Sequence, residues 1–203
     1  MTESDWIQAA RRGDVESFNR LVLLYQDIAY NVAYRLMGDP DAAADATQDA
    51  FITAFRKLHQ LEGDRFRPWL LRIVTNACYD ELRRRRRRPA ASLDDLHERA
   101  EVEPVLALSN PPENPEQHAQ RRELNLAIQD CLSALPENQR TVAVLADVQE
   151  YPYQEIAAIT GLALGTVKSR LSRARAHLRD CLQAVQELLP AEYRLIDEQT
   201  SDY

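Results

Sequence analysis

Glycine, cysteine and long apolar runs are scarce in this sequence, and each shortage excludes a class of protein. Its five glycines occur singly, where helical patterns break, so no glycine-rich loop is present to cradle a phosphate. The longest apolar runs span a few residues, far short of the ~20 that a membrane-spanning helix needs. The acidic N-terminus has no signal-peptide core. We therefore expect a cytoplasmic protein with no membrane insertion.

The three cysteines, Cys78, Cys131 and Cys181, are odd in number and widely separated. This spacing predicts reduced thiols in a cytoplasm rather than a disulfide framework. The four histidines have no metal-ligand spacing among themselves or with the cysteines. No catalytic constellation is visible, so we expect no enzyme, no cofactor and no metal.

Helical periodicity is present almost everywhere else. Apolar residues recur at steps of three and four, and no segment alternates as a strand does, which predicts an all-α protein. Residues 89–119 interrupt this pattern with five of the ten prolines and seven acids against one arginine, which predicts an extended acidic linker. The linker divides one helical module, residues 1–88, from a second, residues 120–185, and an acidic tail follows at residues 186–203. The net charge of −7 therefore lies in the linker and the tail.

The segment 153–179 is the most informative. It predicts two short helices around a turn at Gly161, and Thr166 can cap or begin the second helix. The second helix carries an apolar stripe at the helical period: Val167, Leu171, Ala174 and Leu178. Its other faces hold five cations and no acid between residues 165 and 179. Such a helix-turn-helix can insert its second helix into the DNA major groove, whereas a hairpin with a solvated basic face is the alternative. The candidates for DNA contact are Thr166, Lys168, Ser169, Arg170, Ser172, Arg173 and Arg175.

The charge changes sign inside the first module. Residues 1–64 hold 6 Lys or Arg and 11 Asp or Glu, whereas residues 65–88 hold 9 and 2. In the basic part, a helix beginning near Pro68 is expected to bury Leu70, Ile73, Val74 and Ala77, and Phe66 and Trp69 are expected to pack in the core. Another face of this helix carries two cations, an amide and an aromatic, a surface suited to single-stranded DNA: Arg72, Asn76, Tyr79 and Arg83. The run of six arginines from Arg83 repels itself unless an anion neutralises it, so nucleic-acid phosphate is its natural partner.

The acidic part of the module contains three predicted helices. The second ends at Gly38, and Asp39-Pro40 supplies an N-cap and a first helical residue for the third. On that third helix Gln48 and Asp49 lie beside an alanine-rich stripe. This face suits a basic protein partner, and a merely solvated face explains it about equally well.

Taken together, the two modules resemble a bacterial sigma factor of the extracytoplasmic-function group. The segment DAAADATQDAFITAFRKL resembles the part of region two that grips the polymerase clamp, FRPWLLRIVTNACYDELRRRRRRP resembles the −10 reader, and residues 135–178 resemble region four, which reads the −35 element. The resemblance implies an initiation factor that binds core RNA polymerase, through its β′ clamp and β flap, and promoter DNA; it leaves open an anti-sigma partner. By position, it assigns clamp contacts to Asp45, Gln48 and Asp49, base reading at −10 to Asn76, and base reading at −35 to Lys168, Ser169, Ser172 and Arg173.

Three other classes compete with this reading. A stand-alone helix-turn-helix regulator explains the second module but leaves the basic surface of residues 72–88 unexplained. A helical adaptor explains the acidic first half but not the basic helices. A nucleic-acid enzyme would need a metal or an acid–base set that the sequence does not display.

Overall fold

The computed structural model describes residues 2–87 and 115–189, and in these two ranges every regular element is helical. The all-α prediction is therefore confirmed for the described chain. Short 3-10 turns follow the third helix and the eighth. The helices are α1 (Glu3–Arg11), α2 (Val15–Met37), α3 (Pro40–Lys57), α4 (Phe66–Arg87), α5 (Pro115–Ala134), α6 (Glu137–Ala143), α7 (Tyr153–Thr160) and α8 (Leu164–Gln183).

Local capping chemistry sets the ends of α2 and α3. The Asp14 carboxylate accepts hydrogen bonds from the backbone N–H groups of Glu16 and Ser17, which begins α2. Gly38 ends that helix in the left-handed conformation, with φ of 73°. Asp39 then accepts from the N–H of Ala42 and caps α3. The end at Gly38 and the cap at Asp39 agree with those expected from the sequence.

The first module packs α2, α3 and α4 around one apolar core. Helix α3 contributes small side chains, among which Ala43, Ala50 and Ala54 are fully buried, so its neighbours approach closely. Phe66 is also fully buried, with its ring centroid 5.5 Å from that of Tyr25, as the sequence predicted. The acidic residues of α3 are left on the opposite face.

Helix α4 differs from the expectation at both ends and in its buried stripe. It begins at Phe66 rather than Pro68, and it continues through the arginine run to Arg87. Besides Phe66, its fully buried residues are Leu70, Leu71, Val74 and Cys78. Ile73 and Ala77, which we expected in the core, are only partly buried, so the buried stripe lies on the side of Leu71 and Cys78.

The second module departs from the predicted helix boundaries in three places. Helix α5 begins at Pro115, inside the predicted linker, and residues 88–114, which include the rest of the linker, lie outside the described residues. The helical spacing of Val142, Leu145 and Val148 predicts one helix over residues 137–149. It is α-helical only to Ala143 and continues as a π-helical turn, Val144–Val148. Gly165 lies in the first turn of α8 rather than at a helix break. The predicted tail is described only to residue 189.

The prediction of three reduced cysteines is wrong for two of them. Cys131 of α5 and Cys181 of α8 form a disulfide with an S–S distance of 2.03 Å. The prediction relied on their spacing of 50 residues, and it failed because α5 and α8 pack side by side. Cys78 is the free cysteine, and burial raises the pKa of its thiol to about 12.

Two buried arginines lie where the modules meet. Arg35 of α2 is 6% exposed and donates to the side-chain oxygens of Gln129 and Asn125 of α5, at 3.3 and 3.4 Å. Arg140 of α6 is 9% exposed and donates to the backbone carbonyl of Leu36. A cation that is buried away from water needs hydrogen-bond acceptors from the protein. These contacts therefore hold the second module against the end of α2.

Candidate nucleic-acid and polymerase interface

Helix α8 is anchored by its apolar stripe, which fixes the side that faces solvent. Val167, Leu171 and Ala174 are at most 2% exposed, and Leu178 is partly buried. The predicted base-reading residues lie on the other side and are all exposed: Lys168, Ser169, Ser172 and Arg173. The stripe therefore leaves two cations and two hydroxyls on one face of the helix.

The turn before α8 places this face at the surface of the module. Helix α7 buries Ile156 and Ile159 and ends at Gly161, whose φ of 69° is a conformation that favours glycine. Ala163 is the N-cap of α8, so Thr166 lies in the first turn instead of capping it. The backbone carbonyl of Thr166 accepts the Ser169 hydroxyl at 3.0 Å. The Ser169 oxygen remains able to accept a further hydrogen bond.

Arg175 already has an anionic partner in its own chain. Its guanidinium donates twice to the Asp147 carboxylate, from Nε at 3.2 Å and from Nη2 at 2.5 Å. These hydrogen bonds raise the pKa of Arg175 above its ordinary value. The pair joins α8 to the π-helical turn, so Arg175 is placed to orient the helix. Arg170, also predicted to contact DNA, is half-buried.

In the first module, the predicted clamp residues and three of the four predicted −10 residues, Asn76, Tyr79 and Arg83, line one groove. It has a volume of about 940 Å³ and lies between α3 and α4. One side carries Asp45, Gln48 and Asp49, which are all exposed. The other side carries Asn76 and Arg83, also exposed. Arg72 is exposed on α4 as well, but outside the groove.

The arginine run is partly neutralised by carboxylates of the same module. Arg84 and Arg85 contact Glu81 at 2.7 and 3.0 Å, and Arg85 also lies 3.5 Å from Asp39. Arg83 lies 3.5 Å from Asp80. These acids offset part of the repulsion within the run and so support its helical conformation as far as Arg87. Arg83 and Asp80 are both exposed, so a phosphate can displace that pair at little cost, whereas Glu81 is only 19% exposed.

Tyr79 is half-buried: its side chain lines the groove, and its hydroxyl contacts the other module. Its hydroxyl lies 2.6 Å from the hydroxyl of Thr141 on α6, and burial raises the pKa of the phenol. The predicted −10 residues therefore divide: Arg72, Asn76 and Arg83 are available to a ligand, and Tyr79 is held at the contact between modules.

Sequence reasoning missed the partners of these residues. Besides Thr141, Asp147 and Gln129, it missed a second set of contacts, in which Arg65 lies 2.5 Å from Glu155 and Arg67 lies 4.9 Å from the ring centre of Tyr151. Each pair joins residues far apart in sequence, so no local pattern could have indicated it. Among the described residues, no cluster could hold a metal ion, and no helix is long and apolar enough to cross a membrane.

Comparison with known proteins finds a family model that matches each of the two modules. The family model for Sigma-70 region 2 matches residues 21–88, and that for Sigma-70, region 4 matches residues 125–178. The chain is 36% identical to the ECF RNA polymerase sigma factor SigE of Mycolicibacterium smegmatis, over 89% of this chain and 72% of that protein. It is 34% identical to the ECF RNA polymerase sigma factor SigW of Bacillus subtilis, over 87% of this chain and 95% of that protein.

A solved structure agrees with these matches. The sigma factor RpoE from Bartonella quintana, crystallised in complex with the anti-sigma factor NepR, resembles this chain with a TM-score of 0.64 and 29% identity. The similarity covers 83% of this chain and 98% of RpoE.

Proposed function

The chain belongs to the extracytoplasmic-function group of the sigma-70 family, and on that premise we propose which of its surfaces performs each step of promoter recognition. It is a transcription initiation factor, which binds core RNA polymerase and directs it to promoters. The first module performs the function of region two, which is to bind the polymerase clamp and the −10 element. The second performs that of region four, which is to read the −35 element. This family is one of sigma factors rather than of enzymes.

The exposed face of α3 binds the polymerase clamp. Asp45, Gln48 and Asp49 are exposed, and the buried alanines behind them hold the helix in place. Ile52 and Phe55, 42% and 41% exposed, continue the same face with apolar surface. Apolar side chains bordered by polar and charged groups are typical of a protein–protein interface. The acids suit a basic partner surface and steer its approach.

The face of α4 reads the melted −10 strand. Asn76 offers an amide that can pair with a base edge, and Arg72 and Arg83 offer cations to phosphates. Tyr79 can stack on an unpaired base only after its contact with Thr141 breaks. Separation of the two modules is therefore part of promoter binding in this proposal.

The exposed face of α8 reads the −35 duplex. Lys168 lies in the N-terminal half of the helix, which enters the major groove in helix-turn-helix proteins, and Arg173 follows on the same face. Both cations suit the acceptors of guanine. Arg175 acts through Asp147 to fix the angle of α8, and Arg179 lies near the end of the helix, where it suits a phosphate.

Location and regulation follow from the same assignment. The factor works in the cytoplasm, where polymerase and chromosome meet. Because RpoE was crystallised with an anti-sigma factor, we propose a partner of that class for this chain too. A stand-alone regulator is not favoured, since it would have no use for a region-two module.

The observation that carries the proposal is the presence of two surfaces suited to DNA, on α4 and on α8, in separate modules. The test combines the purified chain with core polymerase and a promoter fragment. We expect the chain to bind core polymerase and promoter binding to depend on polymerase. Tight, sequence-specific binding by the chain alone, with no polymerase binding, would instead indicate a stand-alone regulator.

A further inference from the structure

The disulfide joins α5, which contacts the first module, to α8, which is the proposed DNA-reading helix. Cys131 lies on α5 and is 3% exposed, whereas Cys181 lies near the end of α8 and is only partly buried. The segment between them contains α6, α7 and most of α8, over a separation of 50 residues. The bond therefore closes a loop that includes the whole helix-turn-helix.

The bond restrains α5 and the end of α8 more than it restrains the proposed DNA-reading face. The first half of α8 is held independently by Val167 and Leu171, which are buried against other helices. Helix α5 carries Gln129 and Asn125, which accept the hydrogen bonds of the buried Arg35. Cys131 thus ties the helix that contacts the first module to the helix that reads DNA.

We propose that Cys131 and Cys181 form a reversible redox switch that sets the stability of the second module. The inference rests on the proposed function in one respect, namely that the chain works in the cytoplasm. Disulfides are rare there, and those that occur are usually transient and redox-sensing. Exposed disulfides are the labile ones, and this bond has one partly exposed cysteine, Cys181.

The reductant is a dithiol, either a small molecule or a protein of that class. One of its thiolates attacks the Cys181 sulfur, the S–S bond breaks, and Cys131 leaves as a thiolate that takes up a proton. The second thiol of the reductant then attacks the mixed disulfide and releases Cys181. Two electrons and two protons pass to the chain, and the reductant ends as its own disulfide.

The switch changes the stability of the module while leaving the base-reading residues in place. A disulfide restricts the unfolded chain, and the restriction grows with the loop that it closes. The reduced module is therefore easier to unfold, and the end of α8 and the α5 contact with Arg35 loosen first. Promoter use through the −35 element should fall on reduction as the temperature rises.

The test compares the full-length chain oxidised by glutathione disulfide with the same chain reduced by dithiothreitol. Alkylation after denaturation should count one free thiol in the oxidised chain, Cys78, and three in the reduced chain. Reduction should lower the melting temperature by about 5–15 °C. At a temperature between the two midpoints, transcription with core polymerase should depend on the redox state.

The matched variants separate the switch from other effects. The double variant Cys131→Ser, Cys181→Ser should melt near the temperature of the reduced wild type, and dithiothreitol should not change that temperature. Cys78→Ala should keep the full shift of melting temperature on reduction. If the double variant does not fold, the two states of the wild type still decide the matter. Three free thiols after oxidation, or equal melting temperatures in the two states, would overturn the proposal. The thermal measurement uses neither polymerase nor DNA, so its result is independent of whether the proposed function holds.

Discussion

The hydroxyl of Tyr79 lies 2.6 Å from the hydroxyl of Thr141 and so joins the proposed −10 face of α4 to the second module. Tyr79 is the one aromatic side chain proposed to stack on a melted base, and in this arrangement its hydroxyl is bound to Thr141. The contact makes two roles of Tyr79 separable by mutation, because phenylalanine keeps the ring and loses the hydrogen bond.

Tyr79→Phe should leave −10 strand binding intact or strengthen it slightly. The variant keeps the ring that stacks and loses a hydrogen bond, worth about 0.5–1.5 kcal/mol, that holds the two modules together. Tyr79→Ala should weaken binding by about 1–3 kcal/mol, the value of one stacked base. Fluorescence anisotropy of a labelled −10 strand with the holoenzyme measures both. Equal losses in the two variants would place the function in the hydroxyl instead of the ring.

Gln48→Ala combined with Asp49→Lys should weaken binding to core polymerase, because a reversed charge replaces attraction with repulsion and can cost several kcal/mol. Both side chains are exposed, so the fold should be unaffected. Glu62→Lys makes a charge reversal at an exposed position outside the groove and serves as the control. Surface plasmon resonance with immobilised core enzyme gives the affinities. A double variant that binds like the control would remove α3 from the interface.

Asn76→Ala should relax the preference at one −10 position, because an amide that pairs with a base edge carries sequence information. Arg83→Ala should weaken binding evenly across sequences, because a phosphate contact carries none. Competition among −10 strands that differ at single positions distinguishes the two effects. An unchanged ranking in the Asn76 variant would rule out base reading by that side chain.

Arg175→Ala should leave the salt dependence of −35 binding unchanged, because its guanidinium is engaged by Asp147. Arg179→Ala should reduce the slope of the logarithm of the binding constant against the logarithm of the salt concentration by about one, as expected for a lost phosphate contact. In a double-mutant cycle for stability, Arg175 and Asp147 should couple by about 0.2–1 kcal/mol, since the pair is partly exposed. A slope that falls for Arg175→Ala as it does for Arg179→Ala would instead assign Arg175 to a phosphate.

Much of the fold was predictable because it depends on neighbours in sequence. Asp14, Gly38 and Asp39 mark the helix ends through side-chain caps and a left-handed turn, and both can be read from residue types. The stripe containing Val167 and Leu171 likewise fixed the outward face of α8.

The remaining features depend on which helices pack together. The pairs Cys131–Cys181 and Tyr79–Thr141 join residues 50 and 62 positions apart, and no periodicity indicates them. The same holds for the buried Arg35, whose acceptors Gln129 and Asn125 lie 94 and 90 positions away in sequence.

The most direct test of the central claim is promoter selection from a library randomised at the −35 and −10 elements, using core polymerase with the purified chain. The wild type should select one preferred sequence at each element. Lys168→Ala with Arg173→Ala should change the −35 preference alone, since each good base contact gives about 1–3 kcal/mol of discrimination, and Asn76→Ala should change the −10 preference alone. A folded Lys168, Arg173 double variant that selects the same −35 sequence as the wild type would contradict the account.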